Sequence, residues 1–119
     1  QAQALAKTEP RKERPNTVIA MKKQDFPGLC GADLSSDQQN LLTQTMGKML
    51  AMFRGDDVTA TLQTISDKQM IEHLFVSYYD GKYDIGGDKV WDTWQIEGPE
   101  MVWYFRGQPH IHSYFHLKG

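Results

Sequence analysis

Three of the four histidines fall within Pro109-His110-Ile111-His112-Ser113-Tyr114-Phe115-His116, close to the C-terminus. Side chains two apart on a β-strand project from the same face, so this stretch, read as a strand, presents His110, His112 and His116 together. Neutral imidazole is a good ligand for zinc, copper, iron and nickel, and two imidazoles on neighbouring same-face positions can converge on one ion. A His-x-His pair supplies only two ligands, whereas a catalytic zinc takes three from the protein and keeps a position for water. His116 shares the face but lies further along the strand. His73, on the first predicted strand, can meet the pair across the sheet and is the preferred third ligand. The expected site is therefore His73, His110 and His112, holding copper or zinc.

A structural account competes with this one, because histidines among aromatics are often buried, hydrogen-bonded packing residues. It is the better account of His116 and of any one histidine taken alone. For His110 and His112 together, burying two adjacent imidazoles without an ion or polar partners is costly, and this favours a metal. Glu72, Asp92 and Glu97 are candidate carboxylate ligands or hydrogen-bond partners of the histidines, although most such residues are simply solvated.

Other chemistry finds less support. Met46, Met49 and Met52 offer soft thioethers to reduced copper, but Met46 and Met49 fall on a helical apolar stripe where methionine fills gaps in a core. Cys30 sits in a glycine-flanked loop with no nucleophile motif around it. Neither Ser-His-Asp spacing nor a phosphate-cradling glycine loop is present. Trp91, Trp94, Trp103 and the nearby tyrosines form either a binding face or, by default, the core of a small sheet.

The elements that must position the histidines are legible in outline. Ser35, with Gln38 three residues on, has capping-box spacing and predicts a helix start. Leu42, Thr45, Met46, Met49 and Phe53 then follow on one stripe, with Gly55 as a left-handed C-cap. A shorter helix is expected from the Asp56-Asp57 cap through Val58, Leu62 and Ile65, and a further turn from Ser66-Asp67 through Met70. From His73 onward β-branched and aromatic residues alternate with polar ones, predicting strands at 73–79, 93–97, 101–106 and 110–117. Asp80 to Asp88 reads as a polar loop. Gly107-Gln108-Pro109 is short enough to make the last two strands a hairpin. The fold class is α+β, with two or three N-terminal helices packed on a small antiparallel sheet.

A chain of 119 residues fits one domain with a modest core. Residues 1–25 are polar, with Arg11-Lys12-Glu13-Arg14 between two prolines, and read as a tail or linker ahead of a domain over 26–119. A formal net charge of -2 sets up no field that would gather nucleic acid or an acidic membrane surface. No apolar run approaches the roughly 20 residues of a membrane-spanning helix. The single cysteine leaves the redox compartment open. Gln1-Ala2-Gln3-Ala4 looks like the remnant beside a signal-peptidase site, so a periplasmic or secreted location is expected.

Several stretches resemble the C-terminal half of the bacterial family called domain of unknown function thirty-five hundred, in its planctomycete-type members. They are Gly28-Leu29 followed by Ala32-Asp33-Leu34-Ser35-Ser36-Asp37-Gln38-Gln39, Glu72-His73-Leu74-Phe75-Val76-Ser77-Tyr78-Tyr79, Val90-Trp91-Asp92-Thr93-Trp94-Gln95-Ile96-Glu97-Gly98-Pro99, Val102-Trp103-Tyr104-Phe105-Arg106-Gly107 and Pro109-His110-Ile111-His112. The resemblance implies a histidine at position 73 and the pair at 110 and 112, and leaves His116 outside the pattern. It also implies an exported protein whose usual N-terminal half is replaced here by a homo-oligomer or second subunit. The expected function is metal binding, as a carrier or redox protein. The alternatives are an assembly or partner-binding module with structural histidines, and a metal-dependent enzyme completed by another subunit.

Overall fold

The computed structural model describes residues 2–7, 9–10, 26–88 and 90–118. The expected linker over 1–25 lies largely outside them. The chain divides into two compact units, one made of residues 30–73 and the other of residues 1–29 with 74–119. The class is α+β, with two helices followed by a five-stranded antiparallel sheet.

In the helical unit, α1 spans Ser36–Leu50 and begins at the predicted capping box. Gln38 N–H donates to Ser35 Oγ at 3.4 Å, and Ser35 N–H donates to Gln38 Oε1 at 3.0 Å, so two orphan amides of the first turn are satisfied. Of the expected stripe Met46 is buried and Leu42 and Met49 are half-buried, but Thr45 and Phe53 are exposed; Leu50, outside that stripe, joins the core, and Met52 is 84% exposed. Met46 therefore packs in the core and Met52 lies at the surface. The helix stops at Leu50, earlier than expected, and Gly55 opens α2 (Gly55–Asp67) instead of capping α1. Arg54 is the extended N-cap, and Asp56 and Asp57 occupy the first turn of α2, where carboxylates complement the positive end of the helix dipole. Past α2, Gln69 takes a left-handed backbone (φ 48°) and leads into a 3-10 turn over Met70–His73, in place of a turn capped by Ser66.

The strands are β1 (Leu29–Cys30), β2 (Phe75–Tyr78), β3 (Thr93–Gly98), β4 (Met101–Arg106) and β5 (His112–Leu117), adjacent in that order. The register pairs Tyr78 with Trp94, Ile96 with Trp103, Trp103 with Phe115 and Arg106 with His112. Directly paired residues share a face, so one face carries Trp94, Ile96, Trp103, Phe105 and Phe115. Trp94 stacks on Phe105 at 5.1 Å and Trp103 meets Phe115 edge-on at 5.0 Å, each pair adding about 0.5–1.5 kcal/mol beyond the area it buries. Of the tryptophans only Trp103 is core, at 3% exposure, while Trp91 and Trp94 are half-buried. The opposite face is polar yet buried, with Ser77, Thr93, Gln95 and Glu97 all at or below 2% exposure. At the N-terminus a 3-10 turn over Ala2–Ala4 leads to Ala6, whose N–H donates to Tyr78 O at 2.9 Å. Among the described residues no helix is long and apolar enough to cross a membrane.

Candidate functional site

The β4–β5 connection is longer than the three residues expected and runs from Gly107 to Ile111. Two bonds hold its first half: Gly107 N–H donates to Asp92 O at 2.7 Å, and Arg106 Nη1 donates to Gln108 O at 2.8 Å. His110 therefore sits in the loop and not on the strand, while His112 is the first residue of β5. Pro109 explains part of this, since it has no N–H to donate to a ladder. The two rings still come together, with centroids 4.5 Å apart and planes inclined by 40°. Two nitrogens shared by a tetrahedral ion at bond lengths near 2.05 Å lie about 3.3 Å apart, a separation that small rotations of two neighbouring rings can reach. His110 is exposed and its ring is open to such rotation, whereas His112 is half-buried beside Arg106, its register partner.

His116 is on the same face of β5 as His112 but four residues on, about 13 Å along an extended strand, so it does not join the pair within one chain. His73 ends the 3-10 turn over Met70–His73 and is exposed; it belongs to the helical unit and not to the first long strand, which starts at Phe75. The break falls there because Leu74 turns fully into the core, at 1% exposure.

The carboxylates resolve differently from one another. Glu97 is 2% exposed and accepts a bond from Gln95 Nε2 at 2.6 Å. Glu72 is exposed, and its main-chain carbonyl accepts the Cys30 thiol at 3.4 Å. Asp92, expected as a partner of the histidines, instead joins Asp84 and Asp88 from the stretch read only as a polar loop. Carboxylate oxygens of Asp84, Asp88 and Asp92 lie within 4.8 Å of one another, the one such set of three among the described residues. Gly86 and Gly87, both at positive φ, fold the loop back so that the acids meet. Ile85 N–H donates to Asp92 Oδ2 at 2.7 Å and Val90 N–H to Asp88 Oδ1 at 3.0 Å, while Asp84 Oδ1 is shut from solvent with no hydrogen-bond partner. The even spacing Asp-x3-Asp-x3-Asp around Gly-Gly was the available signal. Its hard oxygen donors suit calcium, magnesium or manganese rather than copper.

Two open clefts lie among the described residues. One of about 320 Å³ is lined by Leu5, Lys7, Glu9, Tyr79, Lys82 and Tyr83. Within it, hydrogen bonds to Tyr83 and then Glu9 raise the pKa of the exposed Lys82 ammonium. The other, of about 290 Å³, lies in the helical unit among Gln39, Asn40, Thr43, Gln69 and Glu72. Neither is lined by a histidine. No protein-family model, curated protein or solved structure matches this chain.

Proposed function

We propose that this chain binds a transition-metal ion, copper or zinc, through the imidazoles of His110 and His112, and that it acts as a metal carrier. The observation that carries this is the 4.5 Å approach of the two rings on a solvent-facing hairpin. Two imidazole nitrogen donors suit a borderline ion, and the exposure of His110 leaves half of a tetrahedral sphere open to an incoming donor. Such a site exchanges its ion readily, which a carrier needs and a closed structural site does not. His73 lies in the helical unit, and the pair supports the proposal without it.

The test is metal content by elemental mass spectrometry on untagged protein, before and after loading with zinc or copper. Three chains are compared: wild type, His110→Ala with His112→Ala, and Asp84→Asn with Asp88→Asn. Near-stoichiometric zinc or copper in the wild type and the aspartate variant, lost in the histidine variant, is the expected result. A folded wild type that resists loading would refute the proposal. So would metal that survives the histidine changes and disappears with the aspartates, since the ion would then reside in the Asp84–Asp92 loop.

A further inference from the structure

Two ligands make an incomplete site, and the position of β5 in the fold indicates where a third comes from. β5 is the last strand of the sheet, and among the described residues nothing pairs with its outer edge. All six of its residues match β4 one to one, without a bulge. Positions 110–118 hold no acidic residue and no proline, so apart from Lys118 the devices that usually blunt an exposed edge are missing. Lys118 N–H donates to Glu100 O at 2.8 Å, which sets the phase of the ladder. Even-numbered residues turn their main-chain groups towards β4, and Ser113, Phe115 and Leu117 turn theirs outward.

We infer that a second copy of this chain completes the metal site, its β5 pairing antiparallel with this one and setting its His116 opposite His112. This arrangement rests on the metal-binding role proposed above. A two-fold axis at Tyr114 makes the edge self-complementary: Ser113 forms the hydrogen-bonded pair with Phe115 of the partner subunit, and the reverse pair follows by symmetry. His112 and His116 of the partner subunit then form a non-hydrogen-bonded pair, the closer type, with Cα atoms about 4.5 Å apart. Since His112 and His116 share a face within the chain, the partner's His116 arrives on the face where His110 already meets His112. Each ion gains three nitrogens, and one dimer holds two equivalent sites.

The ion controls this assembly. A six-residue edge is about 20 Å long and buries well under the roughly 1,200 Å² of a stable interface, so main-chain pairing alone leaves the chains monomeric.

The experiment is sedimentation velocity on the full untagged chain at pH 7.5 with a reductant to keep Cys30 from cross-linking, with zinc alone as the probe. Zinc binding is followed in parallel by calorimetry. Wild type is expected to be monomeric without zinc and dimeric at one zinc per chain. His116→Ala should bind zinc at least about tenfold more weakly, the scale set by even an outer partner of a metal ligand, and stay monomeric. Phe115→Pro removes an outward N–H and should also block dimerisation while leaving His110 and His112 in place. Zinc that binds through His110 and His112 to a chain that stays monomeric, or a His116→Ala variant that dimerises like wild type, would overturn the inference and leave the two-histidine site standing. No zinc binding at all would overturn both.

Discussion

Gly28→Ala is the substitution whose effect the structure sets most tightly. Gly28 has φ of 99°, in the region that side-chain-bearing residues rarely adopt, and a Cβ placed there would collide with the main-chain carbonyl of Val76 in β2. Holding a non-glycine residue in such a conformation costs about 1–3 kcal/mol. The collision adds to this, because the atom struck is strand backbone and cannot rotate away. A total of at least about 3 kcal/mol is a large share of the 5–15 kcal/mol that holds a typical domain together. At a urea slope of about 1.5–2 kcal/mol/M, the midpoint should fall by about 1.5–2 M. The assay is urea unfolding followed by tryptophan fluorescence, since Trp91, Trp94 and Trp103 all lie in the same unit as Gly28 and Val76. Gly47→Ala is the matched control: in α1 the added methyl meets only Leu62 Cδ1 at an ordinary 3.4 Å, and relief of helical glycine should raise stability by about 0.5–1 kcal/mol. A Gly28→Ala midpoint within about 0.3 M of wild type would refute the reasoning.

Ser35→Ala removes one half of the capping box and should lower the stability of the helical unit by about 1 kcal/mol, read by circular dichroism at 222 nm. Asp92→Ala strands the Ile85 amide that Asp92 Oδ2 accepts at 2.7 Å, and should cost about 1–3 kcal/mol by the fluorescence transition. Asp92→Asn keeps an acceptor and relieves repulsion within the three-aspartate group, so its loss should be clearly smaller. Equal losses for the two would mean that the bond to Ile85 is not what Asp92 contributes.

The sequence by itself determined whatever depends on neighbours along the chain. The Ser35–Gln38 cap, the helical stripe that includes Met46, and the alternation that marks β3 and β4 are local patterns, and the α+β class follows from their order. Element boundaries were lost where two local preferences compete. Gly55 has the freedom of a C-cap, but the two aspartates after it favour an N-terminal turn, so it opens α2. At the candidate site, sequence spacing brought His110 and His112 together by a strand geometry that the fold does not use. A loop containing Pro109 makes the same pair by a different route. The placing of His73 beyond the strand, and the meeting of Asp84, Asp88 and Asp92, depended on Leu74 entering the core and on Gly86 and Gly87 reversing the loop. Only the tertiary structure decided these, because burial and loop closure answer to contacts between residues that are not chain neighbours.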